Sequence, residues 1–205
     1  MLMKHLPFVV LITGVSDDSI AGELALQLSA ADPKLLILSA RAESKVAGIR
    51  EKIKSTKPNV ETRFLNLDLS DLSAVRNAAG ELKDVSHIDH LVCVAGVMFP
   101  PYSKTKDGFE SQLGVNYLAN FLLVKLLLPK IRAAGPDSSV IIMASSMVKQ
   151  GKIHFDDVNF SVSLIHWLCL AVLTFYFLVG WPDIRPYGRI WPVERCEGYV
   201  CQETG

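Results

Sequence analysis

"LITGVSDDSIAGELALQL", residues 11–28, decides the fold. Its first residues close the apolar run "FVVLI" (8–12), which lacks the polar alternation of a half-exposed strand. Its last residues space their apolar positions as a helix does, and a short polar turn containing Gly14 lies between. The same unit recurs down the chain. "LLILS" (35–39), "TRFLNL" (62–67), "HLVCVA" (90–95) and "VIIMAS" (140–145) read as strands. Between them, "IAGELALQLSAA" (20–31), "ESKVAGIREKIKST" (43–56), "LSAVRNAAGELKD" (72–84) and "FESQLGVNYLANFLLVKLLLPKIRAA" (109–134) read as helices. Continuous apolar strands are expected where both sheet faces are covered, and strand–helix alternation gives βαβ units with right-handed crossovers. The predicted class is therefore α/β: a doubly wound parallel sheet of about five strands with helices on both faces. Ser70 or Asp71 caps the third helix and Gly135-Pro136 ends the fourth. That fourth helix is apolar nearly all round, so it needs a second partner besides the sheet, either another helix or another subunit.

Bulk composition narrows the function classes. The 205 residues suit one domain, and 21 basic residues balance 21 acidic ones, so no long-range field draws the chain to nucleic acid. Four cysteines without paired spacing point to a reducing compartment, and no metal-ligand spacing is present. His154, Asp156 and Asp157 read as a solvated loop rather than a metal cluster. The N-terminus reads as a first buried strand rather than a signal peptide, which makes a cytoplasmic location the default. The sequon Asn159-Phe160-Ser161 then has no secretory route to make it relevant. Composition breaks near residue 160: all three tryptophans and three of the four cysteines lie beyond it, and none of the lysines does.

The turn between the first strand and helix is where a doubly wound sheet binds nucleotide phosphates on a helix N-terminus. Gly14 is in place, but Ser19 and Ala21 stand where further glycines are usual, and Gly22 comes one step on. On this motif alone an ordinary strand-to-helix turn is the better reading. Strand two ends in "SAR"; Arg41 there would attract a 2′-phosphate and favour NADP over NAD, or it is simply a solvated arginine. Asp68 either caps its loop or receives an adenine amino group.

Taken together, these residues resemble the short-chain dehydrogenase/reductase family, in its retinol-dehydrogenase-like, fungal-looking branch, over roughly residues 8–160. "TGVSDDSIAG" (13–22) is similar to the family's glycine-rich turn in a one-residue-longer variant, and "LDLSDL" (67–72) to its adenine-contacting turn. "CVAG" (93–96) keeps the Ala95-Gly96 of Asn-Asn-Ala-Gly but neither asparagine. "GVNYLANFLL" carries the helix asparagine at Asn116, and "VIIMASSMV" the active-site serine at Ser146, with Ser145 beside it. "GKIHFDDVNF" (151–160) resembles the loop before the catalytic tyrosine. The resemblance implies a Rossmann-like fold and hydride transfer between NADP(H) and a carbonyl or alcohol of moderate size and apolar character. It places the cofactor against Thr13, Gly14, Ser16, Ser19, Ile20, Arg41, Asp68, Leu69, Ala95 and Gly96. A tyrosinate would exchange the proton with its pKa lowered by a lysine, Ser146 would orient the substrate oxygen, and Asn116 would hold a relay water.

The pattern breaks where that tyrosine and lysine should stand. Four residues after Tyr176, Tyr187 and Tyr199 come Gly180, Trp191 and Glu203. Without the Tyr-x-x-x-Lys pair the chain is expected to be inactive in this form, or a catalytically silent nucleotide-binding module. We read 1–160 as an incomplete dinucleotide-binding domain and 161–205 as a tail foreign to the family. A translated intron followed by an exon in the wrong frame explains it, because pyrimidine-rich sequence encodes apolar residues without selection for burial. One base forward from Trp181, permitted codons can spell Tyr-Gly-Gln-Ser-Lys. The competing readings are a C-terminal membrane anchor over 162–180 and a last strand and helix of the core. A tail of this kind argues against the family's homo-oligomer.

Overall fold

The computed structural model describes residues 8–145 and 155–160. Within them five strands, β1 (Val9–Thr13), β2 (Leu35–Ala40), β3 (Glu61–Asn66), β4 (His90–Cys93) and β5 (Ser139–Ile142), form one parallel sheet in the order β3-β2-β1-β4-β5. The helices are α1 (Ile20–Ser29), α2 (Ala47–Thr56), α3 (Leu72–Glu81) and α4 (Ala119–Ala133). The order reverses at β1: the chain moves outward through β2 and β3, then returns to lay β4 on the other side of β1. That switch leaves a crevice beyond the carboxyl ends of β1 and β4, the place where open α/β sheets bind ligands.

Alternate residues of β1 point to opposite faces, and each face has its own core. Val10 and Ile12 join Leu36 and Leu38 beneath Ala21 and Ala25 of α1 and Ile49 and Ile53 of α2. Val9 and Leu11 join Ile37, Leu65 and Leu91 beneath Val75 and Ala78 of α3 and Leu123, Val124 and Leu127 of α4. Both faces are thus covered, which is why the central strands read as unbroken apolar runs.

Asp71 is the third helix's cap: its Oδ1 accepts from the Ser73 and Ala74 amides at 2.8 and 3.2 Å. Gly135, at φ +102°, ends the fourth in the left-handed region that glycine enters without steric cost. Several expected boundaries shift. The second helix begins at Ala47 after a short 3₁₀ turn at Glu43–Lys45, and the third stops at Glu81. The fourth departs most. Phe109 and Glu110 belong to a hairpin whose strands touch at Lys104 and Glu110, and a π-helical stretch, Leu113–Leu118, precedes α4. The second partner that α4 required is α3, against which Leu123, Val124 and Leu127 pack. Residues 161–205, including the three tail tyrosines and the apolar run 162–180, lie outside the described residues.

Candidate cofactor cradle and active site

Thr13 ends β1 fully buried, and its Oγ1 accepts from the amides of Val94 and Ala95, both at 3.1 Å. One hydroxyl thereby ties the carboxyl end of β1 to the strand across the switch point. Gly14 is next, at φ +77°, and a Cβ there would lie 2.8 Å from Ala95 Cα, so both conformation and space demand glycine. The chain then turns over Ser16–Ser19. Ser19 Oγ caps α1 by accepting from the Gly22 amide at 2.9 Å and from the Ser16 amide at 3.1 Å, while donating to the Ser16 carbonyl at 2.7 Å. Gly22 is needed for packing: a Cβ on it would sit 2.3 Å from the Ser16 carbonyl oxygen. The missing middle glycine of the usual motif is thus replaced by a serine cap, and the turn closes on itself.

Two donors stay open beside this closed turn. The amides of Ile20 and Ala21, the first two of α1, have no acceptor among the described residues. Ile20 is 68% exposed. Two orphan N–H groups at the positive end of a ten-residue helix are the donor set a pyrophosphate uses. The residues present therefore fit a dinucleotide.

Arg41 lies just past Ala40 at the carboxyl end of β2, next to β1, exposed and without an ion pair among the described residues. Asp17, on the turn opposite, would stand 2.6 Å from a Cβ at Gly48 and lies 3.7 Å from Lys52. Asp68 is spent in part on its own loop, where Oδ1 accepts from the Ser70 amide at 2.9 Å and the Ser70 hydroxyl at 2.7 Å. Asp68 thus caps its loop through Oδ1, while its Oδ2 keeps no hydrogen bond among the described residues. Leu69, beside it, is buried in the core under α3.

Asn116 sits in the π-helical stretch and grips the loop after β4 from both sides of one residue. Its Oδ1 accepts from the Val97 amide at 2.8 Å and its Nδ2 donates to the Val97 carbonyl at 2.9 Å. Gly96 is opposite, where a Cβ would come within 3.1 Å of Asn116 Oδ1. The Asn116 carbonyl accepts from Asn120 Nδ2 at 3.0 Å. Thr13, Gly14, Ala95, Gly96 and Asn116 thus converge on one end of the sheet. Ser146 lies outside the described residues; Ser145, just before it, is exposed.

No described tyrosine supplies the proton-handling group. One further Tyr-x-x-x-Lys spacing, not among those weighed from the sequence, occurs at Tyr102 and Lys106. It lies on the 104–110 hairpin and its approach, not on a helix, so the two side chains diverge. Tyr102 donates to the Asn159 carbonyl at 3.0 Å, and Lys106 Nζ pairs with Asp71 Oδ2 at 2.7 Å. Tyr117 adjoins Asn116, but burial pushes its phenol up, the wrong direction for a base. Cys93, in place of the first family asparagine, is buried and its thiol pushed up to about 12 by desolvation.

Sequence reading also missed Glu110. It is fully buried, and its carboxylate accepts from the Ser111 hydroxyl (3.0 Å) and the amides of Gln112 (2.9 Å) and Leu113 (2.8 Å), capping the helix that carries Asn116. Its own amide donates to Asn159 Oδ1 at 2.9 Å, and Phe160 is buried beside Leu113. An acidic residue just before a helical apolar run was the available signal, hidden by placing the helix start too early.

Comparison with known proteins decides the family. The family model adh_short_C2, described as Enoyl-(Acyl carrier protein) reductase, matches residues 14–160. The chain belongs to the short-chain dehydrogenase/reductase family. Human retinol dehydrogenase 11 is 37% identical over 152 residues, covering 74% of this chain and 47% of that protein. Human retinol dehydrogenase 13 is 36% identical over 151 residues, covering 73% and 45%. The chain spans about half the length of the curated relatives it matches. The likeness is retinol-dehydrogenase-like; these relatives are human and lend the fungal placement no support. Among solved structures, an uncharacterized protein from Mycobacterium paratuberculosis is 31% identical with a TM-score of 0.62, covering 83% of this chain and 59% of that one. A short chain dehydrogenase from Shigella flexneri, solved with NADP, shares the fold at 21% identity and a TM-score of 0.61, covering 82% of this chain and 65% of that one. The Rossmann-like sheet expected of the family is the one observed.

Proposed function

We propose that this short-chain oxidoreductase fold takes NADP in preference to NAD, and that its parent reaction moves hydride between NADP(H) and the carbonyl or alcohol carbon of a moderately sized, apolar small molecule. The observation that carries the reading is the pair of amides at Ile20 and Ala21, without acceptors among the described residues and at the switch point, with Arg41 on the next strand end exposed and without an ion pair among those residues. In this reading those amides hold the pyrophosphate, Gly14 and Ser16 let the turn's backbone approach it, and Ser19 fixes the helix end. Arg41 pairs with the 2′-phosphate, Asp68 and Leu69 border the adenine, and Ala95 and Gly96 border the nicotinamide half. Asn116 keeps the loop after β4 in place, its Oδ1 and Nδ2 each bonded to Val97. The bound cofactor supplies the hydride; Ser146 orients the substrate oxygen.

The proton-transfer pair is the missing part. Tyr102 and Lys106 are turned apart, and none of the tail tyrosines has a lysine at the required spacing. The chain in this form therefore binds cofactor without turnover, with residues 161–205 as a segment foreign to the family. A cytoplasmic location goes with this reading; membrane attachment through 162–180 is the alternative that fractionation of cells tests. Fluorescence titration with NADPH and NADH, then assays on a panel of apolar aldehydes, checks the rest. Tighter binding of NADPH and no turnover are expected. Failure to bind either nucleotide overturns the cradle, and turnover overturns the silence.

A further inference from the structure

The hairpin 104–110 belongs to the connection between β4 and the Asn116 helix, yet it closes on the first turn of α3. The contacts are three. Asp107 Oδ2 accepts from the Leu72 amide at 2.9 Å. The Lys106 amide donates to the Ser70 carbonyl at 3.1 Å. Lys106 Nζ pairs with Asp71 Oδ2 at 2.7 Å.

These contacts complete a cap that α3 cannot make alone. Asp71 satisfies the amides of Ser73 and Ala74, which leaves the Leu72 amide open, and Asp107 fills it. Two carboxylates then crowd one helix N-terminus, and the Lys106 ammonium offsets their repulsion. The Lys106 ion pair draws the Asp71 carboxyl below the ordinary range, as such a contact should. Gly108, at φ +83°, gives the hairpin its tight reversal. The turn held this way is Asp68–Leu69–Ser70. Its upstream end is fixed by the β-ladder, the Leu67 amide donating to the Ala40 carbonyl at 3.0 Å, and its downstream end by the hairpin.

We infer that Asp107 and Lys106 are positioning residues for the adenine end of the dinucleotide site: they touch no cofactor but set the height and tilt of the Asp68–Ser70 turn. This rests on the dinucleotide reading above and extends it to a second loop. It makes the adenine turn depend on contacts from the connection that leads into the Asn116 helix, through Asp107 and Lys106.

The test uses the full chain and three ligands: NADPH, 2′,5′-ADP for the adenosine half, and NMN for the nicotinamide half, read by ligand-observed NMR and fluorescence. Asp107→Ala is expected to weaken NADPH and 2′,5′-ADP by about fivefold, the size of a helix-cap contact, and to leave NMN unchanged. Asp107→Asn, which keeps an acceptor for the Leu72 amide, restores most of the loss. Lys106→Ala weakens the same two ligands by a smaller factor and supplies the answer should Asp107→Ala not fold. Equal weakening of 2′,5′-ADP and NMN, or no change in either, overturns the positioning role. Failure of the unaltered protein to bind NADPH overturns the dinucleotide reading itself, and this inference with it.

Discussion

Thr13→Val puts the switch point itself to the test. The substitution swaps a hydroxyl for a methyl at nearly constant volume, so no cavity accompanies it. What it removes is the acceptor for two amides, Val94 and Ala95, each 3.1 Å from Oγ1. Thr13 is itself fully buried, so water cannot take the oxygen's place from below. An unsatisfied buried donor costs about 1–3 kcal/mol. Val94 and Ala95 are only half-buried and regain some solvation from the crevice, which puts each near the lower end. The sum is then about 2–3 kcal/mol, or a fall in Tm of about 5–10 °C for a chain of this length. Thermal unfolding tracked by circular dichroism reads it, with Thr13→Ser as the control that keeps the oxygen and loses only a methyl. Because the two amides belong to the loop proposed above to border the nicotinamide half, NADPH affinity should drop as well. A Thr13→Val protein as stable as the original, or less stable than it by no more than Thr13→Ser, refutes the argument that this hydroxyl ties the two strands together.

Other perturbations reach the remaining parts of the site. Gly14→Ala forces a Cβ into a left-handed conformation 2.8 Å from Ala95, and should cost upwards of about 2 kcal/mol in urea unfolding with loss of NADPH binding. Glu110→Ala leaves two amides and a hydroxyl without their carboxylate and frees the helix start, a loss of about 3 kcal/mol or more; Glu110→Gln, which keeps an acceptor, should recover part of it. Arg41→Ala should reduce NADPH affinity by about tenfold and leave NADH unchanged, so that the ratio of the two dissociation constants is the measurement. Cys93 gives a pH signature. Its thiol is pushed up to about 12 in the folded chain, while the unfolded thiol ionises near 9. Its contribution is therefore complete below pH 9 and is lost as pH rises toward 12, steepening alkaline unfolding relative to Cys93→Ala. Peptide-resolved iodoacetamide labelling at about pH 8 should accordingly find Cys93 unreacted until the chain is denatured.

Much of this architecture is legible in the residues. β1 and β2 are apolar at nearly every position because helices cover both faces, and that alone separates a parallel α/β sheet from an antiparallel one. Gly14 is legible because nothing else fits a left-handed turn against Ala95. The cap on α1 is harder to see. A search for glycines scores Ser19 as a defect, yet its hydroxyl makes three contacts that close the turn, a function that spacing alone does not reveal. Long-range contacts are the least accessible. Phe109 and Glu110 continue the apolar rhythm of the Asn116 helix and so draw its expected start too far upstream. A hairpin contact with Lys104 and a hydrogen bond from Glu110 to Asn159 hold them outside it. Helical periodicity reports which side chains face a core, and it is silent on which backbone amides are already taken.

The same distinction governs the missing acid/base pair. Spacing of i and i+4 brings two side chains together only on a helix, where one turn advances about 3.6 residues. Tyr102 and Lys106 meet the spacing on a hairpin and its approach, and the hairpin sends the hydroxyl to Asn159 and the ammonium to Asp71. With the lysine held by an aspartate on one element and the hydroxyl by a carbonyl on another, the two side chains do not act as a pair. In the reading proposed above, turnover calls for a tyrosine and a lysine one turn apart on a helix, not for a substitution within the hairpin. Transplanting such a helix from a family member after Phe160, where Asn159 and Phe160 already dock on Glu110 and Leu113, should yield NADPH-dependent turnover of an apolar aldehyde. A folded, NADPH-binding chimera that stays inactive would refute the proposal that an absent tyrosine and lysine alone account for the expected lack of turnover, and would turn attention to the cradle.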